Sequence, residues 1–424
     1  MYCLDYKTYC NIDTLNNINI DDRYITKEMS LREYNDVVII PACKDRIDQG
    51  EMYDLSGSIV NDVNSNINYE NRLDIQLEQQ SKFNCYEKPI IYLGSIPNCW
   101  GHFITDGLSK LWFLLSEDFQ LIRNECELFV VIPYYYKEEI PRPLQNLINL
   151  LLDYNIKIRN ITELCVYRKV YIPENSLFVK NGCRRYTTLY NDTVNQLINR
   201  VDIRKYKTYD KIYLSRSNWV HVNPDFGETD IEKSFNKVGY KSISPEKYSI
   251  NEQIALFYNA KSIVSTSGSL AHNSLFCKEG TEIIVLRKCS SDSLDYQQMI
   301  DQMKKHNVTY IDCNLTLFVD QNVGLGPFFL YINDKLVSFF KDKYSFNVKG
   351  NFNSKKYMEY VKLCFKRGNI FYRTPQYNDL SDYSYIKLTS ELREERNMFF
   401  YLKKYVLPNN IITNLKKYYC KIKR

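Results

Sequence analysis

From residue 210 to residue 314 the chain repeats one local pattern: a short apolar run, a polar turn, then an amphipathic stretch. The spacing predicts strands over 211–215, 240–244, 261–266, 281–286 and 309–313. Helices are predicted over 230–238, 251–260 and 297–306, and directly after the run at 261–269. Five short strands alternating with helices leave few topologies open, and the simplest is a parallel sheet with right-handed crossovers. Ligands bind such sheets beyond the carboxyl ends of the strands. Ser215-Arg216-Ser217 and Ser265-Thr266-Ser267-Gly268-Ser269 both fall at carboxyl ends, so the two polar turns are expected on one edge.

The second turn is the denser signal. A helix beginning at once beyond it would leave backbone N–H groups and a positive dipole end facing open space, which suits phosphate oxygens. Gly268 admits a ligand close to the backbone, and the hydroxyls of Ser265, Ser267 and Ser269 add neutral donors. No lysine stands in the turn and the Walker pattern is absent. The diphosphate of a nucleotide-sugar fits better than an ATPase-type ligand, with an ordinary helix N-cap as the alternative. His272 and Asn273 follow in the next turn and are candidate contacts to the diphosphate or a sugar hydroxyl; a buried, hydrogen-bonded His272 is the alternative. Arg216, flanked by Ser215, suits bidentate pairing with phosphate, against a surface salt bridge. Glu246, just past the second strand, is a candidate contact for a base or ribose.

A second unit of the same kind precedes this one. Strands are predicted over 89–93, 127–132, 157–161 and 166–172, and helices over 102–115 and 143–154. A polar segment near 185–209 separates the two. The predicted organisation is therefore α/β: an N-terminal Rossmann-like acceptor-side domain at 1–200, a C-terminal Rossmann-like nucleotide-sugar domain at 201–330, and a cleft between them. Residues 331–424 form a helical region expected to return to the first domain, in part through 390–405.

Within the first unit, His102 and Asp106 follow a turn punctuated by Pro97 and Gly101. Four residues apart, they share a helix face. A carboxylate beside an imidazole makes a general base if it reaches the attacking hydroxyl. The alternative has Asp106 capping or salt-bridging while His102 packs. Glu228, opening a helix after Gly227, is the reserve candidate for the base; it also suits a helix N-terminal charge.

Composition narrows the partners. The formal charge is +6, but residues 401–424 hold seven Lys or Arg and no Asp or Glu, so the rest of the chain sums to −1. A nearly neutral body argues against a nucleic-acid binder. The basic tail, rich in Tyr, Leu and Ile, suits peripheral contact with an anionic leaflet as well as a helix packed on the body. The 13 cysteines form no Cys-x-x-Cys pair, and the four histidines lack metal-ligand spacing, so no structural metal is expected. The start of the sequence has no signal core and no apolar run approaches a membrane span, which predicts a cytoplasmic protein. Asp-x-Asp, Gly-x-Ser-x-Gly and Gly-x-Gly-x-x-Gly are all missing.

Asn98-Cys99-Trp100-Gly101-His102-Phe103-Ile104-Thr105-Asp106, followed by Lys110-Leu111-Trp112, resembles the Gly-His-Phe-x-x-Asp segment of family 61 glycosyltransferases. Tyr213-Leu214-Ser215-Arg216-Ser217, Gly227-Glu228, the segment 249–254 and the segment 265–276 resemble the later motifs of that family in order. The resemblance covers about residues 85–335, and it is nearest to the bacterial branch associated with capsule and other surface polysaccharides. Gly268 and Asn273 keep the family's Gly-x-x-x-x-Asn spacing, whereas Lys110 stands where relatives often carry Arg. The resemblance implies a GT-B fold, inversion at the anomeric carbon and no required metal. The function expected is therefore transfer of a sugar from a nucleoside-diphosphate carrier, UDP in the first instance, to a hydroxyl of a glycan or lipid-linked glycan. The alternatives are a non-catalytic nucleotide-binding scaffold and a nucleotide-sugar epimerase or phosphotransferase.

Overall fold

The computed structural model describes residues 7–10, 21–43, 49–60, 84–217, 225–289, 294–315, 327–360 and 363. The basic tail and the stretch 390–405 lie outside the described residues. The strand runs read from the sequence assemble into two mainly parallel sheets. One holds Lys241–Ile243, Lys211–Leu214, Ser262–Thr266, Glu282–Arg287, Asn307–Asp312 and Lys7–Tyr9, in that order and all parallel. Counting the five strands after residue 210 along the chain, the order is 2-1-3-4-5. Chain direction across the sheet reverses between the first and third strands, and such a switch point opens a crevice at the carboxyl edge. The sixth strand belongs to the far N-terminus, so the proposed boundary at 200 does not separate the chain cleanly.

The other sheet runs Met52–Asp54, Leu31–Ile39, Cys165–Pro173, Ile90–Ser95, Glu127–Val131 and Ile158–Asn160, with Asn84–Tyr86 also pairing Cys165–Pro173. The four strands that the sequence pattern predicts here are parallel neighbours, and Asn84–Tyr86 also pairs parallel. Leu31–Ile39 runs antiparallel to Cys165–Pro173, and Met52–Asp54 pairs beyond it as the edge, two strands that the sequence pattern does not predict.

Three helical expectations are corrected. The helix predicted over 102–115 is broken into Trp100–Ile104 and the 3-10 turns Asp106–Leu108 and Leu111–Leu115. The break falls at Thr105, whose hydroxyl donates back to the Gly101 carbonyl at 2.9 Å, a bond that competes with regular helix. Gly107 follows, where a Cβ would stand 2.7 Å from the Phe103 ring. The Ser-Gly-Ser turn leads into a six-residue 3-10 helix, Ala271–Phe276, and not into an α-helix. The segment near 185–209 is no polar joint, because it carries the helix Thr188–Asn199 with Tyr190, Val194, Leu197 and Ile198 buried. Each such buried aliphatic contributes roughly 1.5–3 kcal/mol.

That helix, Arg142–Leu152 and Ile250–Asn259 pack together between the sheets. Ile91, Phe103, Leu147 and Leu197 consequently share one core with Ile254, Phe257, Ile263 and Ile283. Over this stretch the two units are packed against each other, where the sequence reading placed a cleft. On the outer face of the sheet that holds Lys211–Leu214, Asp334–Tyr344 buries Leu336, Phe339 and Phe340 against Tyr213 and Phe235. The described start of the C-terminal region therefore packs on the second unit rather than returning to the first. No helix among the described residues is long and apolar enough to cross a membrane.

Candidate active site

Register places the polar turns side by side. Leu214 pairs with Ser265, so Ser215-Arg216-Ser217 leaves the sheet beside Thr266 and Ser267, flanking the switch point. Leu286 pairs with Thr266, which brings Lys288 alongside; its backbone N–H donates to Ser267 Oγ at 3.1 Å. Gly268 takes φ +97°, a left-handed turn that favours glycine. Ser265 is fully buried in the strand and does not face the edge. Glu246 is exposed in the 3-10 turn Pro245–Lys247 at the neighbouring strand end.

The first unit docks on this edge. A Cβ on Gly101 would lie 2.4 Å from Ser269 Oγ and 2.9 Å from its Cα, so only glycine allows the approach. Trp100 Nε1 donates to Asn273 Oδ1 at 2.9 Å, and Asn273 Nδ2 donates to the Leu270 carbonyl at 3.1 Å. Asn273 is thus buried and committed to the junction, and the ligand contact expected of it is not available. Ser269, against Gly101 and 3.8 Å from Cys99 Sγ, belongs to the same junction.

At that junction His102 and Asp106 come together despite the broken helix. His102 Nδ1 lies 3.4 Å from Asp106 Oδ2, with the side chains 49% and 22% exposed, so the pair is reachable from solvent. Tyr296 of the second unit donates its hydroxyl proton to Asp106 Oδ2 and lies 3.0 Å from His102 Nδ1. Arg184 Nη2 donates to the Tyr296 hydroxyl, and Arg184 Nε stands 3.6 Å from Asp106 Oδ1. Asp106 Oδ1 and Arg184 Nε have no hydrogen-bond partner among the described residues. Oδ2 is therefore held by Tyr296, and Oδ1 is buried facing Arg184. The His272 ring centre lies 5.4 Å from that of Tyr296, and His272 Nδ1 is buried without a hydrogen-bond partner among the described residues. Burial, then the neighbouring His102, pushes the His272 imidazole down to about 3, so it is neutral at physiological pH.

Glu228 sits apart from that group. It is fully buried at the start of the helix Glu228–Lys237. Its Oε1 accepts from the Arg216 backbone N–H at 3.1 Å and from the Tyr213 hydroxyl at 3.4 Å. Arg216 Nη1 lies 4.0 Å from the Asp225 carboxylate. Burial, with the Asp225 carboxylate next, pushes the Glu228 carboxyl up to about 8. An enclosed and largely protonated carboxyl is badly placed to take a proton from an acceptor, so its reserve role as base does not fit; it fastens the Arg216 turn. Because its folded-state value stands above the unfolded 4.5, the native state keeps an extra proton from about pH 4.5 to about 8, and stability falls as pH rises through that window. Glu228→Gln removes this loss. Urea unfolding should show the variant gaining on the wild type from about pH 5 to about pH 8, by on the order of a few kcal/mol. A difference that stays constant with pH would mean that Glu228 is ionised in the fold.

Tyr296, Arg184 and Asp295 were missed from the sequence. Asn181-Gly182, with both residues at positive φ, makes the two-residue hairpin that delivers Arg184 on Cys183–Tyr186. That dipeptide was a readable turn signal. Asp295 and Tyr296 follow the carboxyl end of Glu282–Arg287, the position that drew attention to the other two turns. Among the described residues, no group of three His, Cys, Asp or Glu side chains is placed to hold a metal ion.

A switch-point edge faced by a carboxylate–imidazole pair from a second α/β unit suits an enzyme that joins two substrates approaching from opposite sides. Residues 100–284 match the model of the Glycosyltransferase 61 family, so this segment is similar to the glycosyltransferases of that family. The matched segment holds His102, Asp106, Arg184, Arg216, Glu228, Glu246 and His272, and leaves Asp295 and Tyr296 outside. No curated protein matches the chain.

Proposed function

We propose that this protein is a glycosyltransferase that inverts the anomeric carbon as it moves a sugar from a nucleoside-diphosphate carrier, UDP in the first instance, to a glycan hydroxyl. The carrying observation is the meeting of Asp106 and His102 with the carboxyl edge of the sheet that holds Lys211–Leu214, at Tyr296 and His272. The donor diphosphate would rest in the crevice between Ser215-Arg216-Ser217 and Ser267-Gly268, with Glu246 at its outer end. The Asp106 carboxylate takes the acceptor's hydroxyl proton as the acceptor oxygen bonds to the anomeric carbon. The bond from that carbon to the diphosphate oxygen breaks, and its electron pair leaves on the diphosphate. Arg216 and Lys288 supply positive charge toward that oxygen, so the step needs no metal. A GT-B arrangement, a surface-polysaccharide acceptor, and a cytoplasmic setting with the basic tail at a membrane complete the reading; their support is the resemblance and the tail's composition.

Thermal unfolding with a panel of nucleotides and nucleotide-sugars, in EDTA and again in magnesium, tests the donor half. Ligand at 100 times its Kd stabilises the native state by about 2.7 kcal/mol. The expected result is a shift with UDP or one UDP-sugar that survives EDTA and is lost in Arg216→Ala. A panel without any shift overturns the donor site, and a shift that requires magnesium overturns the metal-free step.

A further inference from the structure

The Tyr296 hydroxyl touches three groups: it donates to Asp106 Oδ2, accepts from Arg184 Nη2, and lies 3.0 Å from His102 Nδ1. A hydroxyl has one proton to give and two lone pairs, so all its capacity is committed. The ring is held as firmly. The Arg184 guanidinium carbon lies 3.4 Å from its centre, and the rings of His102 and His272 flank it at 5.2 and 5.4 Å.

Behind Tyr296 runs a chain of alternating charges. Arg184 Nη1 donates to Asp295 Oδ2 at 2.7 Å, and the Arg184 backbone N–H donates to Asp295 Oδ1 at 3.1 Å. Arg23 Nη1 donates to the same Oδ1 at 2.5 Å. Arg23 is 1% exposed; its Nη2 donates to Gln298 Oε1 at 3.1 Å and its backbone N–H to Gln302 Oε1 at 2.9 Å. The sequence Arg23, Asp295, Arg184, Asp106 thus crosses from an N-terminal segment through both units to the carboxylate. Burying a guanidinium costs several kcal/mol unless it is fully paired, and apolar side chains stabilise such places at least as well. A chain built of charges is better explained by what it orients.

We propose that Tyr296 is a positioning residue for Asp106, and that Arg23 acts on the same carboxylate from a distance by fixing Asp295 and Arg184. The inference rests on Asp106 being the base. Tyr296 pins Oδ2 while Arg184 faces the buried Oδ1, so the two together fix the orientation of the carboxylate. The titratable and charged groups around Asp106 are His102 on its own segment, Arg184 from the hairpin and Tyr296 from the helix Asp295–Met303. His272 from the 3-10 helix and Tyr190 from Thr188–Asn199 complete the set.

Tyr296→Phe keeps the ring and its stacking and removes only the hydroxyl. The expected result is a kcat lower by about 10- to 100-fold, an unchanged donor KM, and an acid limb of the kcat–pH profile moved to higher pH. The direction follows because a hydrogen bond donated to a carboxylate favours its charged form. Arg23→Gln should lower kcat in the same way, and Arg23→Lys, which keeps the charge but not the forked donors, should restore part of it. An acid limb that stays in place overturns the positioning role whatever the size of the loss, and a raised donor KM reassigns Tyr296 to donor binding. Asp106→Asn assayed alongside separates the two ideas. Wild-type turnover there removes the base and this inference together; lost turnover there with an unaltered Tyr296→Phe removes the inference alone.

Discussion

Asp106→Asn is expected to reduce sugar transfer by about 10²–10⁴-fold, the usual contribution of a positioned general base, while nucleotide binding stays at the wild-type level. Asparagine has the same shape and retains an oxygen for the Tyr296 hydroxyl. Its amide nitrogen would then stand where Oδ1 lies 3.6 Å from Arg184 Nε, opposing donor to donor and accepting no proton. Arg184 keeps Asp295 as its second carboxylate partner, so the fold should tolerate the change. Steady-state transfer, with nucleotide affinity measured in parallel, gives the answer. Undiminished turnover would remove Asp106 from the chemistry, and loss of both turnover and nucleotide affinity would make it a residue of the donor site.

Gly227→Ala should be the most destabilising small substitution near the site. Gly227 takes φ +85°, and a Cβ there would lie 1.9 Å from the Leu330 carbonyl oxygen. That oxygen is backbone and has no rotamer by which to withdraw. Relief requires parting Asp225–Phe226 from Phe328–Phe329, a pairing continued by the 2.8 Å bond from Leu330 N–H to the Phe226 carbonyl. Left-handed backbone costs an alanine about 1–2 kcal/mol on its own, and the displaced strand adds overpacking of about 1–3 kcal/mol. A total near 3 kcal/mol or above should appear as a lower urea midpoint with an unchanged slope. Because Gly227 seats Glu228 and through it the Arg216 turn, nucleotide affinity should fall as well. An unchanged midpoint would mean that the Leu330 carbonyl does not cover Gly227.

Much of the second unit could be read directly. The capping box of Ser249 and Glu252 and the apolar positions 254, 256 and 257 place Ile250–Asn259 within a residue or two of its predicted bounds. Two further features are legible in the sequence. Asn181-Gly182 marks a hairpin, and Tyr190, Val194, Leu197 and Ile198 follow a helical period within the segment 185–209. The break at Thr105 was harder to foresee, since its cause is a hydroxyl choosing a backbone carbonyl within its own turn.

The alternation of strand and turn, and with it a sheet whose polar turns share one edge, is written in short stretches of the chain. So is the pairing of His102 with Asp106, because both lie within one turn of chain. These are local matters of side-chain period, turn chemistry and reach. The tertiary structure alone decided the 2-1-3-4-5 order that opens a switch point, the capture of Lys7–Tyr9 as the sixth strand, and the filling of the expected cleft by helices. It alone joined residues 23, 106, 184 and 295 into one line of charges. Strand order is set by which distant apolar surfaces bury each other best. Charges far apart in sequence interact strongly only after the fold has removed the water between them, so neither result is written in any local stretch of the chain.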